Sequence, residues 1–189
     1  MKVYAVIILL LTVTYSFAIP SVNKEKPSCV KIDECSCHLT GVEQPGVIDL
    51  HSLVSGKHEP TFVIEVKSEQ TNVSYNYSYN PCMNFSDFGC PNTSICRTGD
   101  HDGYQSTDLG NLYNDGFLVD DLDKNALFAF YQSKYKDKFG FYWVSGVELI
   151  CDEAEVKGKF EYVGEPSSHV YHFRLFTRCA CPGKCTYLQ

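Results

Sequence analysis

The residues of this 189-residue chain best placed to do chemistry are its ten cysteines: Cys29, Cys35, Cys37, Cys82, Cys90, Cys96, Cys151, Cys179, Cys181 and Cys185. A cysteine serves as a nucleophile, a metal ligand or half of a disulfide, and the compartment decides among the three. In Cys35-Ser36-Cys37 and Cys179-Ala180-Cys181, alternate residues of an extended chain point to the same side. Pairing within either triplet would be strained, so each cysteine is expected to bridge elsewhere. Zinc sites favour CxxC or mixed Cys/His spacings, which are not the pattern here. The six histidines, His38, His51, His58, His101, His169 and His172, show no HExxH spacing. Asp100-His101-Asp102 is a local acidic cluster that could hold a cation and reads as a solvated loop, and Asp115, Asp120, Asp121 and Asp123 lack the EF-hand spacing of a calcium loop and read as a solvated turn. No GxSxG, P-loop or dinucleotide fingerprint occurs. The expectation is a non-enzymatic protein with no catalytic residue, no metal site and no cofactor.

Disulfides require export, and the N-terminus predicts it. Residues 1–18, MKVYAVIILLLTVTYSFA, place one positive charge before a short apolar run, with Ser16 and Ala18 at the −3 and −1 positions of a cleavage site. This is the three-part shape of a secretory signal peptide. Residues 19–28 form a short polar leader, and residues 29–185 read as one domain without linker or repeat. Four sequons, at Asn72, Asn76, Asn84 and Asn92, predict an exposed glycan-bearing region in a secreted or endomembrane-lumenal glycoprotein. No later stretch approaches the roughly 20 apolar residues of a membrane span. The formal charge of −7 repels phosphate backbones, which argues against a nucleic-acid partner.

The elements that would position any site are strands. Helical periodicity is nearly absent, and short apolar or alternating runs recur between Gly, Asn, Asp and Pro clusters. Strands are predicted over 61–66, 73–79, 126–131, 139–144, 147–151, 159–163 and 169–176. Val73, Tyr75, Tyr77 and Tyr79 share one face of a strict alternation and read as strand packing. The fold class predicted is all-β: a barrel or sandwich stapled by five disulfides.

Several strings resemble the mannose 6-phosphate receptor homology (MRH) domains. Asp33-Glu-Cys-Ser-Cys37, Gly46-Val-Ile-Asp-Leu-His-Ser-Leu53 and Tyr79-Asn-Pro-Cys82 look like the opening of such a domain. Gly103-Tyr-Gln105 looks like its glutamine segment, followed by Leu109-Gly110 as its Leu-Gly turn. Gly164-Glu165 through Tyr171 and on to Cys181 looks like its closing strands. The resemblance spans roughly 29–181 and implies a flattened β-barrel of two packed sheets. Its lectin members bind mannose-type sugars with a Gln, an Arg, a Glu and a Tyr. By position, Gln105, Glu165 and Tyr171 match three of these, with Glu161 a second candidate for the acid. Trp143 stands where the arginine would be, and indole offers an apolar surface to a sugar ring. A family bridge running from just before the arginine strand to two residues before the tyrosine has no counterpart, because His169 stands at the second position and no cysteine lies between Cys96 and Cys151. That predicts loops there that are looser or differently organised. The resemblance also implies bridges of Cys151 with Cys181 and of Cys82 with Cys35 or Cys37. The function implied is a lectin-like module for mannose-type glycans, or the same scaffold as a protein-interaction module with sugar binding lost.

Overall fold

A computed structural model describes residues 25–56, 59–68, 73–87, 89–99, 106–120 and 126–185, the side chains of 87 and 112–115 excepted. The expected signal peptide (residues 1–18) and most of the expected leader, together with Asn72, Gln105 and the Asp100–Asp102 cluster, lie outside the described residues.

Among the described residues thirteen strands make three sheets. A small antiparallel sheet holds β1 (Ser28–Lys31), β2 (Ser36–Thr40) and β3 (Gly46–Asp49). A hairpin pairs β6 (Phe85–Asp87) with β7 (Cys90–Thr93). The remaining eight form one curled sheet. In chain order they are β4 (Phe62–Lys67), β5 (Ser74–Tyr79), β8 (Ile95–Gly99), β9 (Ser106–Asp120), β10 (Ala126–Gln132), β11 (Val144–Cys151), β12 (Lys159–Ser167) and β13 (Val170–Thr177). Their order across the sheet is β12-β13-β11-β10-β9-β8-β5-β4. Neighbours pair antiparallel except β11 and β13, which run parallel from Val144↔Val170 to Cys151↔Thr177.

The sheet curls until its edge strands meet. Phe62 of β4 and Phe160 of β12 pack across the seam with ring centroids 5.9 Å apart. Gly158 lies against the Phe62 ring, where an added Cβ would sit 2.8 Å from Cζ. The result is a nearly closed, flattened barrel.

The period-2 pattern builds its core. Residues alternate buried and half-buried along β10 and β13, so Leu127, Ala129, Tyr131, Tyr171, Phe173 and Leu175 face inward. The β5 stripe also turns inward, with Tyr75 half-buried and Tyr77 and Tyr79 buried. Phe160 stacks on Phe173 at 5.0 Å and on Tyr79 at 4.8 Å. Fully burying each such ring contributes about 1.5–3 kcal/mol. The Tyr79 and Tyr131 hydroxyls meet at 2.8 Å in the interior, so neither is left unpaired. Burial holds Tyr79 well above its ordinary ionisation range, and burial pushes Tyr131 up to about 12.

All ten cysteines pair: Cys29–Cys37, Cys35–Cys82, Cys90–Cys96, Cys151–Cys181 and Cys179–Cys185. Of the two partners left open for Cys82, the fold uses Cys35.

Two expectations need correction. The run 139–144 is not a strand before Val144; the carboxylate of Asp137 accepts from the backbone N–H groups of Phe139 (2.8 Å) and Phe141 (2.9 Å), which curls the chain into a tight loop. Gly140 in that loop has φ +88, a left-handed conformation that suits glycine. Leu109-Gly110 is not a turn either. Leu109 is fully buried within β9, and Gly110 lies so close to Tyr131 that an added Cβ would approach that residue's Cβ to 2.3 Å. The glycine is there for close packing of neighbouring strands at a register shift between β8 and β9.

Candidate functional site

Towards the other end of the β4/β12 seam the two edges diverge, and an open pocket of about 760 Å³ lies between them. β4 supplies Val66 and Lys67, β5 supplies Tyr75 and Tyr77, β8 supplies Arg97, and β12 supplies Tyr162 and Glu165. Alternation along β5 turns Tyr75 and Tyr77 towards the barrel while Asn76 stays exposed. Arg97 lies directly opposite Tyr77 in the β5–β8 register, so it shares that inward face.

Aromatic rings make much of the wall. Tyr77 stacks on Tyr162 with centroids 4.7 Å apart and planes inclined by 14°. Burial, followed by the nearby Tyr162 hydroxyl, holds Tyr77 far above the ordinary phenol range, so it stays a neutral donor. The Arg97 guanidinium lies between two further rings, 5.3 Å from the Tyr75 centroid and 5.5 Å from that of Tyr171. Such sandwiching is worth about 0.5–2 kcal/mol per ring and keeps the long side chain in place.

Polar groups converge on Tyr171. Its oxygen accepts from Arg97 Nη1 at 2.6 Å, and the Glu165 carboxylate lies nearby, its charge acting on the phenol. Burial pushes the phenol up to about 12, against the opposing pull of the Arg97 charge. Arg97 Nη2 also reaches Thr107 Oγ1 at 3.5 Å. A guanidinium bonded to a phenol, with a carboxylate beside them, therefore brings donors and acceptors together at the pocket.

The residues expected from the sequence are distributed as follows. Glu165 lines the pocket and Tyr171 lies beneath it, held through Arg97. Glu161 does not take part: it points to the outer face of β12 and pairs with Lys159 at 2.5 Å. Trp143 is not a pocket wall. It is half-buried against the core, its ring 5.0 Å from that of His169, and its N–H and C=O are bound by the Ser133 hydroxyl and N–H. Gln105 lies outside the described residues. Arg97 is the residue that sequence reasoning missed. It comes from β8, 74 positions before Tyr171, and not from the strand where Trp143 stands.

The loops beside the pocket are organised by a polar latch. His169 has φ +70, unusual for a residue with a side chain. Its Nε2 lies 3.0 Å from Asp137 Oδ2, its Nδ1 is 2.8 Å from Ser168 Oγ, and its backbone N–H donates to Glu165 Oε1 at 3.2 Å. Burial alone would raise the Asp137 carboxyl, but the N–H groups of Phe141 and Phe139 and the His169 ring hold it below the usual carboxylate range.

Three solved structures resemble this arrangement of strands. Domain 11 of the chicken IGF2R receptor superposes with a TM-score of 0.54 at 19% identity, over 82% of this chain and 96% of that one. Domain 11 of the echidna mannose 6-phosphate/IGF2R receptor gives 0.49 at 15% identity, over 74% and 89%. The MRH domain of Yos9, solved in complex with alpha3,alpha6-Man5, gives 0.43 at 13% identity, over 64% and 76%. No family model and no curated protein sequence matches the chain. The chain has the fold of the MRH domains, at low sequence identity.

Proposed function

We propose that the seam pocket binds a mannose-type glycan without catalysis, in an exported, disulfide-stapled protein. The observation that carries this reading is the Arg97–Tyr171 pair, with Glu165 beside it, opening onto an aromatic-walled pocket. A mannose ring displays neighbouring hydroxyls, each both donor and acceptor. The guanidinium donates to them, the Glu165 carboxylate accepts, and the Tyr75 and Tyr162 rings offer apolar surface to the less polar face of the sugar. Gln105, carried by the family resemblance alone, is proposed as a fourth contact. Arg97 takes the part of the family's arginine from a different strand. Selectivity follows because an inverted or missing hydroxyl leaves a desolvated polar group unpaired.

Titration calorimetry of the purified protein with mannosylated oligosaccharides tests this. Arg97→Ala removes a charge-assisted hydrogen-bond set and should weaken binding by about ten- to a hundredfold. Arg97→Lys keeps the charge but lacks the fork and should recover only part of the loss. Absence of binding to every mannosylated ligand by a folded wild-type protein, or an Arg97→Ala variant that binds normally, would leave the alternative of a protein-interaction module on the same scaffold.

A further inference from the structure

A second surface lies on the other side of the His169–Asp137 latch from the pocket. Between β10 and β11 the chain runs Lys134-Tyr-Lys-Asp-Lys-Phe-Gly-Phe-Tyr142, and most of it projects into solvent. Phe139 is 69% exposed, Tyr135 66% and Phe141 60%, the three most exposed aromatic side chains among the described residues. Isolated exposed apolar residues are ordinary, but a contiguous set of rings on one loop marks a contact surface.

The loop is convex and preorganised. Nothing lies within 4 Å of the place a Gly140 Cβ would occupy, so the apex stands free. The Asp137 carboxylate ties down the Phe139 and Phe141 N–H groups, the Asp137 N–H donates to the Phe141 carbonyl at 2.8 Å, and His169 fixes the base. The apolar rings are thus presented with little ordering left to do.

The charge of the loop opposes that of the molecule. In a chain of net charge −7, Lys134, Lys136 and Lys138 crowd five positions, their ammonium groups 5.0–5.4 Å from the rings of Tyr135, Tyr142 and Phe139. The two carboxylates that bind the loop are consumed. Asp137 has a side chain only 8% exposed, and Asp108 accepts from Thr93, Gly110, Asn111 and the Lys134 N–H. Glu165 faces the pocket. Aromatic rings at a protruding apex with cations beside them match the layering of a bilayer interface, where rings settle at headgroup depth and lysines meet anionic headgroups. A convex tip offers a soluble peptide no groove. At physiological ionic strength the acidic groups elsewhere are screened beyond about 8 Å, while lysines in contact are not.

We propose that this loop docks the protein peripherally on a membrane surface carrying anionic phospholipid. The protein should co-sediment with vesicles of phosphatidylcholine and phosphatidylserine, weakly with phosphatidylcholine alone, and less at high salt. Trp143 is the chain's single tryptophan and sits at the base of the loop, so its emission should shift to the blue on binding. Charge reversal of Lys134, Lys136 and Lys138 to Glu should reduce partitioning by at least about a hundredfold. Phe139→Ser with Phe141→Ser should reduce it by more than about tenfold. Leu118→Ser, a change at another exposed apolar site on the sheet, should have no effect. Absence of binding to serine-lipid vesicles at low salt would overturn the proposal. So would capture by heparin or polyglutamate with vesicles ignored, or equal losses in the Leu118→Ser variant. Glycan binding at the Arg97 pocket is read separately and is unaffected by either outcome.

Discussion

The parallel strands β11 and β13 leave the barrel differently at their two ends. At one end Cys151 is bound to Cys181, and Cys179 to Cys185, while the Gly183 N–H donates to the Val47 carbonyl of the small sheet. At the other end, about seven residues or roughly 23 Å away, Val144 and Val170 emerge into two loops joined by His169 and Asp137. One end is closed by two disulfides and meets a second sheet through a hydrogen bond; the other is held by hydrogen bonds alone. The looser end carries the aromatic tip and borders the pocket. The latch also connects the two segments that a disulfide joins in many members of the family this fold resembles. Dissolving the covalent link does not leave those loops without organisation. A carboxylate that satisfies two backbone amides and one imidazole does part of the same positioning, with less resistance to local opening.

The largest expected effect comes from breaking the covalent end. Cys151 and Cys181 are separated by 30 residues, a loop whose closure is worth about 3–4 kcal/mol in the chain-entropy account. Replacing both by serine should lower the free energy of unfolding by about that amount in urea denaturation. A loss under about 1 kcal/mol would mean that strand pairing and the neighbouring Cys179–Cys185 bridge already hold that end, and the contrast between the ends would collapse.

How far this architecture is legible in the sequence follows from period and distance. The strict alternation at Val73, Tyr75, Tyr77 and Tyr79 announces an inward face, and the apolar runs at 126–131 and 169–176 announce β10 and β13 within a residue or so. β9 escapes notice, because Ser106–Asp120 is rich in Asp, Asn and Gly and its register shifts where Gly110 packs on Tyr131. Run 139–144 reads as a strand because its residues are aromatic, yet an aspartate side chain captures its backbone. Glu165 and Tyr171 are readable from a resemblance of spacing. Arg97 is not, since nothing local marks a residue that meets its partner across a barrel interior. One signal was present: Ile95 and Arg97 lie two apart, so recognising β8 would have turned Arg97 to the same face as a core isoleucine.

An intermediate effect concerns two buried tyrosines near the hydrogen-bonded end, both level with Ser145. Tyr131 and Tyr171 are both pushed up to about 12, principally by burial, from an ordinary 10.0. A group whose folded value is raised contributes stability that is complete below its unfolded value and is lost as pH rises through the folded one. Stability should therefore be flat up to about pH 10 and fall progressively between 10 and 12. Ultraviolet titration of the native protein should show a fraction of phenols ionising only near 12 or on unfolding. Full titration of every tyrosine near pH 10 in the folded protein would contradict the closed interior.

The smallest effect on global stability, and the sharpest test of the contrast, lies at the latch. Asp137→Asn keeps the size of the side chain but removes its charge and leaves a weaker acceptor for Phe139, Phe141 and His169. The urea midpoint should barely move, because the loop is exposed and buries little. Native-state hydrogen exchange should instead accelerate at the Phe139 and Phe141 amides and leave those of β13 unchanged. Acid should reproduce the change. With Asp137 held below its ordinary 3.8, its contribution is present above that value and is lost as pH falls through the lowered one. The tip amides should lose protection only below about pH 4, while the β11–β13 ladder stays protected. If the tip and the ladder instead opened together at every pH, the latch and the staple would belong to one cooperative unit, and the two ends would differ in chemistry but not in stability.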